Sequence, residues 1–438
     1  MQKFGFRTVH QDRTSHARVG EIQTPHGVIQ TPAFVPVGTQ ATVKSLTPDE
    51  LTDLDVGLFF VNTYHAYLRP GLDVIKKFGG LHQFMHWDKP LITDSGGFQV
   101  FSLARDKFAN KNYSSSDESS RSREVSRNSS RRSSPREFSP RGSNNNREDE
   151  KPSLVKISED GVEFRSHWDG TKHLFTPESS MEYQWILGAD IHIAFDDCTP
   201  YGVSKEKARA SMERTYRWAL RSKVANDTCQ MTHAKLGKPY QALYGVVQGS
   251  VFEDLRKESA MAIRSMDFDG IAIGGVSVGE SKEEMVRVLD WTVPLLPDDK
   301  PRHLLGVGEI DDIFALVERG IDTFDCVQPT RLARAGYVLI GNNPIIKLSN
   351  NPINKYKIDI TKAIYADDIR PIDAQCTCYT CQNFSRAYLH HLFHVKELLG
   401  YRLATIHNVH FISTLMSDIR KAIGEGVLLE LKKQWVYT

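Results

Sequence analysis

Short apolar runs alternate with segments of helical periodicity along most of the chain. Runs at 33–37, 58–62, 91–93, 191–195, 242–247, 270–273, 303–307 and 323–327 read as buried strands. The intervening segments carry helix starts. Thr47-Pro48-Asp49-Glu50 offers a capping hydroxyl, proline at the first helical position and an acid at the third. Ser281-Lys282-Glu283-Glu284 is a capping box, after which Met285, Val288, Leu289 and Val293 fall on one helical face. Eight β-then-α units predict an α/β fold, a closed (β/α)8 barrel rather than an open sheet. The return helix of the eighth unit is not evident, because 340–365 is aperiodic and rich in Asn, Ile and Lys.

Polar residues follow the apolar runs at the strand ends. Asp94-Ser95-Gly96-Gly97-Phe98-Gln99 follows the third run, Asp196-Asp197-Cys198 the fourth, Gln248-Gly249-Ser250 the fifth and Gly274-Gly275 the sixth, while Asp325-Cys326 closes the eighth. In a barrel these ends converge on one mouth, where active sites are built. A lone Asp at a strand end is ordinarily a turn or cap residue. Several at one mouth suit chemistry at an anomeric carbon, where one carboxylate attacks and another handles the leaving group's proton. Glycosyl transfer or hydrolysis is the reaction class these residues suggest. A flat, purine-like base would lie against the backbone at Gly275, with Gln248 and Asp196 on its edge, Phe98 on one face and Leu305 on the other. The glycine clusters at 274–279 and 306–308 lack the order of a dinucleotide-binding fingerprint.

Composition narrows the class. The chain has 438 residues with 55 basic and 54 acidic side chains, which excludes a polybasic binder. No run is long and apolar enough for a membrane span or a signal peptide, so a cytoplasmic protein with no membrane partner is expected. One stretch is unlike the rest: residues 114–147 contain 13 Ser and 8 Arg, with Val125 and Phe138 as the larger apolar side chains. It is expected to be a disordered insertion spanning 108–152 in a chain that is otherwise one barrel domain, 1–438. Extended to Glu150 it removes 8 basic and 7 acidic residues, leaving 47 of each sign.

Six cysteines are too few for a disulfide scaffold, and three lie at Cys376, Cys378 and Cys381. That spacing, followed by His407, predicts a closed structural zinc site, with His390, His391, His394 and His410 as competing fourth ligands. Tyr388, Leu389, Leu392 and Leu399 predict an amphipathic helix between the cysteines and His407. The pair Arg331 and Arg334, shortly after Asp325, is the local candidate for phosphate or base contacts.

Together these segments resemble the queuine tRNA-ribosyltransferases, or tRNA-guanine transglycosylases. The resemblance rests on TDSGGFQVFSL at 93–103, FDDCTPY at 195–201, VVQGSVFEDLR at 246–256 and IGGVSVGE at 273–280. It continues with GVGEIDD at 306–312, FDCVQPTRLAR at 324–334, CTCYTCQNFSRAYLHHLF at 376–393 and ATIHN at 404–408. It implies an irregular TIM barrel with a zinc-binding subdomain at 366–412, and a homodimer as in bacterial members. The implied activity is exchange of guanine at wobble position 34 of tRNAs for Asp, Asn, His and Tyr, which share a GUN anticodon, for a deazaguanine base.

By the same resemblance Asp325 is the nucleophile and Asp94 the general acid/base. Asp94, Ser95, Gly96, Gly97, Phe98, Asp196, Gln248 and Gly275 bind the base. Gly306-Val307-Gly308-Glu309-Ile310-Asp311-Asp312 and Thr330-Arg331-Leu332-Ala333-Arg334 contact RNA. Cys376, Cys378, Cys381 and His407 hold one Zn2+. Cys198 and Val278 look like the bacterial branch, whose base is 7-aminomethyl-7-deazaguanine, with Glu280 available to the aminomethyl cation. Val276, Asp197, Gln328 and Leu332 depart from the usual pattern, the first two leaving queuine as an alternative base. Two rival classes are a non-catalytic tRNA-binding partner subunit, against which the presence of both Asp94 and Asp325 argues, and a nucleoside glycosidase, which would leave the cysteines and arginines without a role.

Overall fold

A computed structural model describes residues 4–98, 155–341 and 356–436. The Ser/Arg-rich stretch, Gln99 and much of 340–365 lie outside the described residues.

All eight predicted strands form one parallel sheet: β1 (Ala33–Pro36), β2 (Phe59–Val61), β3 (Leu91–Thr93), β4 (Ile191–Ile193), β5 (Ala242–Val247), β6 (Gly270–Ile273), β7 (Arg302–Leu304) and β8 (Thr323–Cys326). Its spatial order is β1-β8-β7-β6-β5-β4-β3-β2. A parallel bridge between Val37 and Phe60 joins the two ends, with the Gly38 N–H donating to the Phe60 carbonyl at 2.7 Å. The sheet is thereby a barrel. Several strands stop short of the apolar runs that predicted them. In β7 the run 303–307 becomes Arg302–Leu304, because Gly306 turns at φ +78° and points its N–H across to Asp325.

Side chains alternate as a barrel requires. Val35, Phe60, Ile92, Ile193, Tyr244, Val246 and Ala272 pack inside. Leu243, Ile271, Ile273, Leu304 and Phe324 face outward beneath the helices. The expected caps form: Thr47 and Ser281 each make a full capping box, and Met285, Val288, Leu289 and Val293 are buried.

The sequence pattern did not reveal an antiparallel sheet, Gly5–Gln11, Arg18–Thr24 and Gly27–Thr31, that plugs the barrel floor with Ile22 and Ile29. The inward positions of its middle strand are Arg18, Gly20, Ile22 and Thr24, so hydropathy shows no period of two. Arg18 is buried and forks onto both oxygens of Asp322 at 2.9 and 2.7 Å, just below β8. The carbonyls of Asp298 and Lys300 accept from the Arg18 Nη1 and Nη2 N–H groups, so each nitrogen of this buried fork has an acceptor.

The return helix of the eighth unit is Leu398–Glu425, far downstream of β8. Its first half, Leu403 to Val409, packs in the cysteine-bearing lobe, and its second half, Ile412 to Ile423, packs on the barrel. The lobe is therefore an insertion between strand and helix of one β/α unit, which explains the aperiodic stretch. The amphipathic helix expected between the cysteines and His407 is broken: Arg386–His394 ends, Lys396 turns at φ +58°, and Tyr388 faces outward.

Candidate active site and metal centre

The strand ends line one cavity of about 370 Å3. Asp94 and Ser95 come from β3, Asp196 from β4, Gln248 from β5, Gly274 and Gly275 from β6, Leu305 and Gly306 from β7, and Asp325 from β8. Phe98 and Arg331 also line it. Every strand end that sequence singled out for chemistry is thus at the same place.

The three carboxylates have different surroundings. Asp94 accepts from the Asn62 amide at 2.6 Å, the Thr63 N–H at 2.7 Å and the Gly96 N–H at 3.2 Å. Asp325 accepts from the Gly306 N–H at 2.9 Å and meets His303 Nε2 at 3.2 Å, both on Oδ1. A carboxylate partner requires Nε2 to carry the proton, and Nδ1 then accepts from the Thr323 hydroxyl at 2.9 Å. His303, Thr323 and Asp325 form a polar wall inside an otherwise apolar barrel, and the donors on Oδ1 fix the carboxylate's orientation.

Asp196 accepts from Gln248 Nε2 at 2.7 Å and from the Ser95 hydroxyl at 3.3 Å. Burial pushes it up to about 6, with Asp197 and Asp94 adding to the rise and the Gln248 and Ser95 bonds opposing it. Asp197 turns away from the cavity to pair with Arg214. Gly275 sits at φ +64°, and a Cβ there would collide with Gln248 Oε1, so that wall is open to a flat ligand only as glycine.

Beneath this wall lies Arg256, fully buried and without a carboxylate partner among the described residues. It donates to the carbonyls of Ser250 at 2.6 Å, Val247 at 3.2 Å, Gly274 at 2.7 Å and Gly275 at 2.9 Å. One guanidinium thus ties the ends of β5 and β6 together. At the lip, Glu280 accepts from the N–H groups of Ser277 and Val278.

The other predicted contacts divide. Gly306, Glu309, Asp311 and Arg331 are exposed. Val307, Ile310, Thr330 and Ala333 are buried and support the loops from below, and Leu332 packs on the core. Gly308 approaches Phe34 and Cys326 too closely for a side chain. Asp312 pairs with Lys282, which also holds Glu309, and Glu309 in turn accepts from Gln328 at 2.8 Å. Arg334 donates to the Thr330 carbonyl at 2.8 Å. Three residues were missed: Asn62, His303 and Arg256. The signal for the last two was a polar side chain at an inward strand position and a charge on an apolar helix face.

In the C-terminal lobe, the sulfurs of Cys376, Cys378 and Cys381 lie 3.7, 3.6 and 3.3 Å from His407 Nδ1. With Zn–S near 2.3 Å and Zn–N near 2.0–2.1 Å, a tetrahedron has an S···N edge of about 3.6 Å, so the donor set fits zinc. His407 Nε2 meets the Leu339 carbonyl at 2.6 Å, which fixes the proton there and leaves Nδ1 as the ligand. His390 instead bonds the Ile360 carbonyl. A second grouping, His26, His82 and Asp190, is unlike this one. Its imidazoles stack at 3.7 Å and 17°, so no single ion lies in both ring planes, and it is a hydrogen-bonded clasp under β4.

Two substitutions test these assignments. Cys378→Ser is expected to release zinc and lower the unfolding midpoint of the lobe, read by metal analysis and thermal melts; a fully metallated, equally stable variant contradicts the ligand set. For Asp196 the folded value lies above the ordinary 3.8, so its stabilising contribution is complete below that pH and is lost as pH rises through about 6. Asp196→Asn should therefore raise stability at pH 7.5 by on the order of 1–3 kcal/mol in urea unfolding and by little at pH 4. Destabilisation at pH 7.5 would contradict this.

The model of the family described as queuine tRNA-ribosyltransferase matches residues 12–131 and 148–438, with the break inside the Ser/Arg-rich stretch. The chain is similar to the queuine tRNA-ribosyltransferase of Thermoanaerobacter pseudethanolicus, 45% identical over 99% of this chain and 97% of the relative. It is also similar to that of Desulforamulus reducens, 46% identical over 97% and 96%. With eight parallel strands, a mouth of carboxylates and a Cys3His cluster in the expected places, the chain belongs to the queuine tRNA-ribosyltransferase family, the tRNA-guanine transglycosylases, and is a pentosyltransferase.

Proposed function

We propose that this protein exchanges guanine at position 34 of tRNAs with a GUN anticodon, those for Asp, Asn, His and Tyr, for 7-aminomethyl-7-deazaguanine in queuosine biosynthesis. The observation that carries the reading is that Asp94 and Asp325, from β3 and β8, line one cavity with Asp196, Gln248 and Gly275.

Asp325 attacks the ribose anomeric carbon as the bond to guanine breaks, giving an aspartyl-ribosyl ester. Gly306 and His303 hold Oδ1 and leave Oδ2 as the attacking atom. Asp94 supplies the proton that the departing guanine takes up. It then removes the ring N–H proton of the incoming base, whose nitrogen displaces Asp325, so charge and protons balance over the cycle. The apolar walls formed by Val37, Phe60, Ile193 and Leu305 disfavour water, which would otherwise hydrolyse the ester.

Asp196 and Gln248 read the base edge, Phe98 and Leu305 cover its faces, and Ser95, Gly96 and Gly97 shape the site. The exposed parts of 306–312 and 330–334 contact RNA. Glu280, at the lip, supports the aminomethyl cation as substrate. Val276 and Asp197 favour a second reading in which queuine is the accepted base. Zinc, held by the Cys3His set, ties the lobe to the return helix and takes no part in the reaction. The outward Tyr379, Tyr388 and Leu398 of that lobe support a homodimer. Among the described residues no helix is long and apolar enough to cross a membrane, which accords with a cytoplasmic enzyme.

Incubation with tRNA carrying labelled guanine at position 34 is expected to release label when 7-aminomethyl-7-deazaguanine is added, with Asp325→Ala and Asp94→Ala each inactive. No release by the wild type, or full activity in Asp325→Ala, would sink the reading. Competition against queuine decides between the two bases.

A further inference from the structure

A tryptophan stands exposed on a hairpin fastened to the segment that holds Asp94, with no role in the reading above. Trp168 lies at the tip of the hairpin formed by Val162–Arg165 and Lys172–Phe175, and 46% of its surface is open to solvent. The Arg69 guanidinium stacks over its ring, 3.9 Å from the centroid. The tip is stiff. The Ser166 N–H donates to the Thr171 carbonyl at 2.8 Å, and Asp169 accepts from the Thr171 N–H and hydroxyl at 3.1 and 2.7 Å, so that carboxylate is turned into the hairpin.

The hairpin is fastened to the segment that grips Asp94. Thr63 donates to Asp94, and Tyr64, the next residue, bonds His167 Nδ1 at 2.8 Å through its hydroxyl. Trp168 follows immediately. Lys44 and Arg69 give this side positive charge, and neither has a carboxylate partner among the described residues. His65 is held down to about 4 by burial, with His167 and Lys44 adding to the effect, so the charge at neutral pH rests on the lysine and the arginine.

We propose that Trp168 and Arg69 form a stacking platform for an RNA base flanking the one exchanged. This rests on the proposed function and extends it to the RNA strand. Drawing a base into the cavity unstacks it from its neighbours and strips one of them of its partner. A rigid indole backed by a guanidinium replaces that partner without reading sequence, and the cations meet the adjoining phosphates. Arg331 lines the cavity with Asp325, so the strand crosses the mouth from the Arg331 side to the Trp168 side.

The test is equilibrium binding and exchange kinetics with full-length tRNA, using Trp168→Ala, Trp168→Phe and Arg69→Ala, with zinc content and circular dichroism as checks on folding. Trp168→Ala should raise Kd and KM for tRNA roughly tenfold, leaving kcat at saturating tRNA and KM for the free base unchanged. Trp168→Phe should keep most of the affinity, and Arg69→Ala should flatten the salt dependence by about one phosphate contact. Exchange with an unaltered tRNA Kd in Trp168→Ala overturns the platform alone, as does a change confined to self-association. Trp168-dependent tRNA binding by a wild type that exchanges nothing overturns the exchange reading alone. A wild type that binds no tRNA overturns both.

Discussion

Closure of the sheet between β1 and β2 is the constraint on which the rest depends. Once the Gly38 N–H meets the Phe60 carbonyl, eight strand ends must point to one mouth. Most of these strands are three or four residues long, too short for their ladders alone to fix them. Polar clasps do so at both ends. Arg18 and Asp322 lock the floor under β8, and Asp190 holds the Leu91 N–H and His26 under β3 and β4. Gln184 bridges Thr93 and Ile193, and Arg256 gathers four carbonyls behind β5 and β6. Each clasp satisfies buried donors or acceptors that would otherwise cost about 1–3 kcal/mol apiece.

A second set of polar contacts surrounds the carboxylates at the mouth. Three aspartates share one cavity, yet each is surrounded by a different donor set, which in the proposed reaction separates their tasks. Asp325 is held on one oxygen by Gly306 and His303, Asp94 is enclosed by Asn62, Thr63 and Gly96, and burial raises Asp196. The raised value marks Asp196 as a group maintained at a cost to the fold, as binding residues often are. The zinc lobe joins this arrangement through one continuous helix: His407 sits in its first half, and Ile412 to Ile423 pack on the barrel, where the helix meets β1 and the floor sheet.

Much of this was legible in the sequence, for identifiable reasons. Central parallel strands are apolar on both sides, so the eight runs stood out, and the carboxylates at their ends followed from the barrel rule. The cysteine spacing was equally plain, although the choice of His407 over His390 has its physical reason in the fold, where the three sulfurs converge on His407 Nδ1 and the Leu339 carbonyl holds Nε2. What stayed hidden was polar residues doing core work. Arg18, Gly20 and Thr24 concealed the floor strand, Arg256 resembled an ordinary surface residue, and His303, although inside a run read as a buried strand, had no evident partner until Asp325 was placed beside it. The displaced return helix could not be inferred from local periodicity, since an entire lobe separates it from its strand.

The central claim is that Asp325 becomes covalently attached to ribose. Incubating the protein with substrate tRNA without an acceptor base, denaturing the mixture, digesting it and mapping the modified peptide by mass spectrometry tests that claim directly. A ribosyl ester on the peptide carrying Asp325, discharged by added deazaguanine, is the expected result. An adduct on Asp94, or base exchange proceeding with no adduct trapped at any time point, would contradict it.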